Sequence, residues 1–506
     1  MVVQESLGAD FRTMWDVYAA TGSTIIQPGE MLTGLKEIVG ASQVLMGDAV
    51  AAAPYCKDWT GQFAGTPIAV VRPESTAQVA AIVKLCHNHG TPMVPTGGRT
   101  GLCGGGVPTG NGDSVVVSLE RMNAVRAVDV GARSITLEAG VVLQTAQEQA
   151  REHGLAFPLT FGAQGSAMIG GVLSTNAGGS NVVKYGTTRE LCIGIEAVLP
   201  DGSIIDGLTG LRKDNTGYDL KDLLIGAEGT LGIITAAVFK LSPMPSVRTT
   251  GFLSLASIAD APTVLNALQD RTGGAVEAYE YMPAAAVEVI CREFPKTRRP
   301  LGVPAETGLF FEVASSRPDD AKGGDDGETR LQGLVFEGLE ALMEEGTVLD
   351  AMIAQSEQQR IDLWTMREAI LEAITANGPA YHMDIALPLA SVAEFVTTMD
   401  AAVADMGFVP LTVGHLGDGN LHYALSAAEG KNWTDLPLTR AKEQAFALLM
   451  RLNGSFSAEH GIGQSKLDVM RNLKQASQLD VMRKIKQALD PDDLMNPGKF
   501  IPKEKS

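Results

Sequence analysis

The chain has seven histidines in 506 residues, and three of them lie in two short glycine-bounded stretches. These are GHLGDGNLHY (residues 414–423) and SAEHGIG (residues 457–463). His415 and His422 are seven positions apart. On one straight strand an odd spacing would put them on opposite faces. The intervening GDGN is turn-forming and can fold the chain back so that both imidazoles meet, with Asp418 or Asn420 holding the turn. Glu459 and His460 are adjacent in the second stretch. Two imidazoles and a carboxylate with one position left open form a catalytic arrangement for a divalent metal. The alternative is two structural histidines in a polar turn and an exposed Glu-His pair.

A second kind of chemistry is suggested by PTGGRTGLCGGGVP, residues 95–108, six of whose residues are glycine. Apolar strands flank it, which sets it apart from a flexible linker. Glycines permit close backbone approach, and a turn with several N–H groups facing one concavity suits a pyrophosphate, with Arg99 as a cation. Neither GxxxxGK[ST] nor a GxGxxG opening a helix is present, so the common nucleotide motifs are excluded. Two more stretches, residues 162–186 and 217–235, are rich in small, amide and hydroxyl side chains. Such backbone can lie against a large flat ligand.

The elements that must position these residues alternate. Residues 10–20 and 31–39 read as short amphipathic helices. IAVV from Ile68 is a strand, and Ser75 caps a helix whose Val79, Ile82, Val83 and Cys86 share a face and which Gly90 ends. Strand, helix and stop follow at 134–138, 141–153 and Gly154. A strand at 195–199 leads to a turn at 200–202. Composition shifts at Pro243–Pro245, where a domain boundary is placed. Beyond it come alternating elements over 250–315, a charged loop at 319–328, and helices at 329–345 and 355–376. Strands at 381–387 and 409–414 and helices at 438–453 and 476–490 complete the chain.

With 45% hydrophobic and 20% charged residues the composition is that of a globular protein, and its length predicts two or three domains. A net charge of −19 argues against nucleic acid as a partner. Five scattered cysteines without CxxC point to reduced thiols. No apolar run reaches membrane-spanning length, and no leader pattern opens the chain, so a cytoplasmic location is expected.

Taken together, the glycine-rich stretches resemble the flavin-binding half of the vanillyl-alcohol-oxidase type of FAD-linked oxidoreductases. The C-terminal half is similar to the cap of their D-2-hydroxy-acid dehydrogenase branch. From about Pro54 onward FPLTFGAQGSAMIGG, TNAGG, LRKDNTGYDLKDLLIGAEGTLGIIT and KQALDPDDLMNPGKF follow the D-2-hydroxyglutarate subgroup. The resemblance implies an α+β chain. Residues 1–245 would be a two-subdomain FAD-binding domain with a lead-in at 1–62. Residues 246–470 would be an α+β cap with the substrate and metal site, and 471–506 would return to the FAD. It implies FAD contacts from Pro95, Thr96, Gly97, Gly98, Arg99, Thr100, Gly101 and Leu102. Further contacts would come from Gly165, Ser166, Ile169, Gly170, Gly171, Thr175, Asn176, Gly178 and Gly179, then from Glu228, Gly229, Gly232, Ile233, Ile234 and Asn496. The FAD would be noncovalent: the loop has no histidine, and Cys103 fits a packed thiol.

The same resemblance implies metal ligation by His415, His422 and Glu459, with Zn²⁺ first and Mn²⁺ or Fe²⁺ as alternatives. His460 would be the general base and Arg367 the catalytic and substrate-carboxylate ligand. Read alone, Arg367 is a surface-helix arginine paired with Glu368 or a neighbour. Asn420, Leu371 and His382 would line the substrate. Two of these depart from the subgroup, with Leu371 in place of Thr and His382 in place of Lys. To replace that lysine His382 must be cationic, so binding of a dicarboxylate would weaken as pH rises. The function expected is oxidation of a D-2-hydroxy acid to the 2-oxo acid, with hydride passing to FAD N5. Electrons would go on to an electron-transfer flavoprotein, a quinone or a cytochrome, and a homodimer is left open. The alternatives are a D-lactate-type enzyme, an O₂-using oxidase, and a non-catalytic flavin- or carboxylate-binding protein.

Overall fold

The computed structural model describes residues 28–110, 112–324 and 327–503, so the helix expected at 10–20 lies outside the described residues. The first layer is a four-stranded sheet of β1 (Val44–Met46), β2 (Ala69–Val71), β3 (Met93–Thr96) and β4 (Val115–Ser118), in the order β1-β2-β4-β3. β2, β4 and β3 are mutually parallel, and Ala69–Val71 and Val115–Val117 are fully buried. Continuous apolar runs of this kind are what a sheet covered on both faces requires. Helices Pro28–Val39 and Thr76–Asn88 contribute Leu35, Val79, Ile82 and Val83 to that core. Ser75 Oγ accepts from Gln78 N–H, as its capping role predicts, and Gly90 has φ +60.

Residues 125–243 supply β5 (Val125–Asp129), β6 (Ser134–Glu138), β7 (Leu155–Ala156), β8 (Cys192–Val198), β9 (Ile204–Asp206), β10 (Ile233–Lys240) and β11 (Ser242–Pro243). β7 pairs with β11, and the others form an antiparallel sheet in the order β5-β6-β10-β8-β9. The glycine-rich stretches connect these elements, and their close approaches exclude side chains. A Cβ on Gly98 would lie 2.1 Å from Ser166 O, and one on Gly229 would lie 2.6 Å from Pro95 Cγ.

From residue 247 the chain builds one eight-stranded antiparallel sheet. Its strands are β12 (Val247–Leu255), β13 (Val276–Tyr281), β14 (Thr307–Ser315), β15 (Val348–Ile353), β16 (Ala380–Ala386), β17 (Phe408–Pro410), β18 (Val413–His415) and β19 (Asn420–Ala427). The order is β15-β12-β14-β13-β18-β19-β16, with β17 also on β19. Tyr279, Phe311, Ile385, Leu421 and Tyr423 face one side and pack under helices Ala261–Thr272, Arg330–Glu344, Leu389–Asp405 and Leu438–Arg451. The other side packs Ala278, Phe310 and Ala424 against helices Ala284–Glu293, Glu357–Glu368 and Ile370–Asn377, and it also carries the polar residues described below.

Two expectations are corrected. The single helix at 355–376 is two helices, divided at Ala369. The single strand at 409–414 is β17 and β18: Pro410 has no N–H to continue a ladder, and the chain steps across Leu411 and Thr412 before rejoining β19.

The C-terminal segment closes back on the first sheet. Met93 N–H donates to Leu494 O and Asn496 N–H to Met93 O, at 2.7 and 2.8 Å. The Asn496 side chain, 1% exposed, donates to Gly105 O and Glu228 O and accepts from Lys499 Nζ. Asn496→Ala would strand these buried partners. It should cost about 2–3 kcal/mol and lower the melting temperature of the purified protein. An unchanged melting curve would mean that the C-terminal return does not hold the glycine loop.

Candidate active site

The register explains why the histidines converge. β18 and β19 form a hairpin in which His415 faces Asn420 and Val413 faces His422. Residues opposite one another in an antiparallel pair share a face, as do positions i and i+2. His415 and His422 are therefore a diagonal pair on one face, and their ring centroids are 5.3 Å apart. Asp418 Oδ1 holds the turn by accepting from Asn420 N–H at 3.1 Å. β13 places Glu280 opposite His415, and β16 places Asp384 opposite His422 and His382 opposite Ala424. Glu280, His415, His422, Asp384 and His382 thus line one face of four neighbouring strands.

The loop after residue 456 is drawn onto this face by Asp384, which is 4% exposed. Asp384 Oδ2 accepts the backbone N–H groups of Ala458, Glu459 and His460 at 3.1, 3.1 and 2.9 Å. Lys466 Nζ lies 3.3 Å from the same oxygen, and Asn420 Nδ2 donates to Oδ1 at 3.1 Å. Asp384 is buried, yet the positive charge of His460, then Lys466 and His422, and the donated N–H of His460 hold its pKa below the ordinary carboxylate range.

Glu459 Oε1 then lies 3.9 Å from His415 Nε2, 3.5 Å from His422 Nε2 and 3.6 Å from His460 Nε2. One ligand atom each from His415, His422 and Glu459 falls within a 4.8 Å span, and the same holds for Asp384, His422 and His460. Ligands about 2.1 Å from a tetrahedral metal stand about 3.4 Å apart, so either set has the spacing of a metal centre. The donor chemistry separates them. Asp384 is committed to backbone amides, Asn420 and Lys466, whereas the Glu459 carboxylate is paired, among the described residues, with the imidazoles of His415, His422 and His460.

The imidazoles differ electrostatically. His415 is buried against Glu280, whose Oε1 is 2.8 Å from Nδ1; burial opposes a charge there, but Glu280 overrides it and raises the pKa to about 9. A carboxylate on Nδ1 fixes the ring with Nε2 toward Glu459, the usual arrangement behind a metal-ligating histidine. His422 is lowered to about 4, by burial and by the neighbouring His415 and His460, which favours the neutral ligating form. His460 is raised, since Asp384, 3.7 Å from Nδ1, and Glu459 outweigh its burial.

Arg367, from helix Glu357–Glu368, is 8% exposed and directs Nε and Nη2 to Glu280 Oε2, each at 2.7 Å. It is neither a surface arginine nor paired with Glu368, and the ion pair leaves Nη1 outside it. Asn420 is buried, and its Nδ2 is spent on Asp384 and Ile385 O. His382 is exposed at the end of the row, and Leu371 is 41% exposed on the next helix. The mass of protein around His382, and then His460, lower its pKa, so at pH 7 it is neutral rather than the cation that a lysine replacement requires. Glu280, Asp384 and Lys466 are site residues that sequence reasoning missed. In sequence the two acids appear only as polar positions in the strands VEAYEY and AYHMDIA, each with a second polar residue, Glu277 or His382.

The flavin-type stretches meet this site directly. Backbone with positive φ at non-glycine residues occurs at Arg99, Asn176, Glu228 and Asn496, all four of which the resemblance assigns to the cofactor. Gly97 and Gly98 abut Met168 and Ser166, and a Cβ on Gly178 would lie 3.2 Å from Glu459 Oε2. Positions Gly101 and Gly171 face open space. The Arg99 guanidinium lies over the Tyr55 ring and 3.6 Å from Glu120. Cys103 is 6% exposed with Sγ 3.5 Å from Gly461 O, and burial raises its pKa, as a packed thiol requires.

Replacing Asp384 by Asn should remove the anion that gathers residues 458–460 and leave Lys466 uncompensated, a loss of about 3–5 kcal/mol. Its depressed pKa means that this stabilisation is present above about pH 3.9 and fades only as pH falls through the lower folded value. Because His460 owes its raised pKa to Asp384, the gap in thermal stability between wild type and Asp384→Asn should be widest near pH 5 and narrow, without vanishing, toward pH 8 as His460 loses its proton, and a gap that widens with pH would contradict it.

Comparison with known proteins gives the family and the fold. Residues 67–207 match the FAD binding domain family, and residues 244–500 match the family of FAD linked oxidases, C-terminal domain. The chain is 36% identical over 471 residues to a probable mitochondrial D-2-hydroxyglutarate dehydrogenase of Oryza sativa subsp. indica, covering 92% of this chain and 81% of that one. It is 34% identical to the D-2-hydroxyglutarate dehydrogenase of Stutzerimonas stutzeri over 94% of this chain and 97% of that one. Among solved structures, p-cresol methylhydroxylase with substrate bound superposes with a TM-score of 0.70 at 15% identity, covering 95% and 98% of the two chains. That likeness establishes the two-domain FAD-binding fold. With both family models matched and relatives above 30% identity over most of its length, the chain belongs to the FAD-linked oxidoreductases of the D-2-hydroxyglutarate dehydrogenase family.

Proposed function

We propose that this protein oxidises a D-2-hydroxy acid to the 2-oxo acid using noncovalent FAD and a divalent cation, and passes electrons to an acceptor other than NAD. The carrying observation is the convergence of His415, His422 and Glu459 within a 4.8 Å span, beside His460 and against the glycine-rich segments. His415 Nε2, His422 Nε2 and a Glu459 oxygen would hold the cation, Zn²⁺ before Mn²⁺ or Fe²⁺, and leave a position for substrate. When bound, FAD accepts the hydrogen and electron pair leaving C2, and the cation draws charge from the substrate hydroxyl and carboxylate.

The protein residues supply the rest. His460 takes the hydroxyl proton, and Asp384 beside Nδ1 stabilises the imidazolium that results. Arg367 is held rigid by Glu280 and offers Nη1 to the 1-carboxylate. Glu280 also fixes the ring of His415. Five free cysteines support a reducing, cytoplasmic compartment, and among the described residues no helix is long and apolar enough to cross a membrane.

The substrate end favours D-2-hydroxyglutarate by kinship and a less charged acid by its pocket. The relatives carry the name of the dicarboxylate. Here, however, a neutral His382 and an apolar Leu371 stand where the resemblance implies a lysine and a threonine. D-Lactate or an apolar D-2-hydroxy acid is therefore the second reading.

Aerobically purified protein should be yellow, and its flavin should bleach anaerobically with a D-2-hydroxy acid. A flavin that no member of a panel of D-lactate, D-2-hydroxyglutarate, D-malate and longer apolar acids reduces would overturn the proposal. Steady peroxide release would select the oxidase alternative. Chelation should abolish turnover while FAD stays bound, and Zn²⁺ or Mn²⁺ should restore it. His382→Lys with Leu371→Thr should move the ratio of kcat/KM for D-2-hydroxyglutarate over D-lactate by about ten-fold, the worth of one charge-assisted contact. With the His382 pKa lowered, this side chain should add no pH dependence above pH 7, so the change in KM for a dicarboxylate from pH 7 to 8 should be the same in wild type and His382→Asn.

A further inference from the structure

The SAEHGIG loop is suspended between two buried carboxylates, one from each half of the chain. Asp384 of β16 takes the N–H groups of residues 458–460, as described. Glu228, which sits in the flavin-binding half and is 8% exposed, takes the next ones. Its Oε1 accepts from Ile462 N–H at 2.6 Å and its Oε2 from Gly463 N–H at 2.7 Å. Both oxygens are thereby engaged by backbone 234 and 235 residues away in sequence.

The pose of Glu228 is fixed from behind. Its own φ is +51, its N–H donates to Ser174 O, and its carbonyl accepts from Asn496 Nδ2 at 2.7 Å. The loop has no room to slide over it. A Cβ on Gly461 would lie 2.6 Å from Glu228 Oε1, and one on Gly463 would lie 2.0 Å from Cys103 O. Gln464 adds backbone and side-chain bonds to Cys103 O and Gly104 O, each at 2.7 Å. Residues 461–464 therefore lie on the glycine loop, and Glu228, both of whose oxygens accept from the loop although burial raises its pKa, is the side-chain part of that seat.

We propose that Glu228 is a positioning residue for the reaction: its carboxylate fixes the loop that carries Glu459 and His460 against the flavin-binding half. This rests on the function proposed above for Glu459 and His460. The resemblance assigns Glu228 to the cofactor, but in this structure its carboxylate is spent on the loop. Glutamine has the same shape but places an NH₂ where one amide donor needs an acceptor, so at least one of the two bonds is lost. The consequence should fall on the geometry of proton and hydrogen transfer more than on substrate capture, so the rate of flavin reduction should suffer and substrate affinity should not.

The test compares wild-type and Glu228→Gln holoenzymes, each loaded with FAD. Hydrogen–deuterium exchange of the peptide spanning residues 458–466 should accelerate by roughly ten-fold or more, the worth of a lost charge-assisted bond. In stopped-flow reduction by the best D-2-hydroxy acid, the limiting rate should fall by roughly ten-fold or more, with the apparent Kd changed by less than about three-fold. Unchanged exchange overturns the proposal, and so does faster exchange with an unchanged limiting rate. If Glu228→Gln does not retain FAD, Glu228→Asp supplies the same two readings, because its carboxylate is one methylene short of the loop. Wild-type protein that no hydroxy acid reduces would refute the proposed reaction; exchange would then still decide whether Glu228 seats the loop.

Discussion

One buried anion organises the catalytic region. Asp384 sits near the end of a sheet strand and collects three successive amide N–H groups from a segment more than seventy residues away, with Asn420 and Lys466 completing its partners. An isolated carboxylate in this position would be neutralised by desolvation; surrounded by donors, it stays charged. Its geometry determines where Glu459 and His460 stand. Without it, the loop that carries Glu459 and His460 would lose one of the two buried carboxylates that hold it, the other being Glu228.

The remainder of the site follows from strand alternation. A single face of β13, β18, β19 and β16 carries carboxylates and imidazoles, while the opposite face carries the larger hydrophobic core. Similar side chains acquire different properties on this face through their neighbours. Glu280 drives His415 up to about 9, whereas His422, with no carboxylate so close, falls to about 4. Arg367 shares Glu280 with His415, which ties the residue proposed to hold the substrate carboxylate to a residue proposed to hold the cation.

Much of this was legible in the sequence, for physical reasons. The odd spacing of His415 and His422 across GDGN admits a shared site only if the chain turns, and it does turn. Glycine-rich segments that resemble a flavin cradle do pack on one another with strained backbone. What was hidden depends on register between distant strands. Nothing local to Glu280 or Asp384 announces that β13 will pair with β18, or that β16 will face a loop beyond residue 456. Arg99 shows the same dependence: a cation in a glycine loop suggests a phosphate, and nothing local shows that Tyr55 and Glu120, contributed by other segments, hold its guanidinium. His382 looked like a weaker lysine, and its surroundings keep it neutral instead.

The account turns on which side chains hold the cation. The most direct measurement is anomalous diffraction at the metal edge from crystals of the FAD-loaded protein grown with Zn²⁺. The account predicts one scatterer within bonding distance of His415 Nε2, His422 Nε2 and a Glu459 oxygen, with Asp384 still bound to the amides of residues 458–460. A scatterer ligated by Asp384 instead, or no ordered metal at this face, would contradict it.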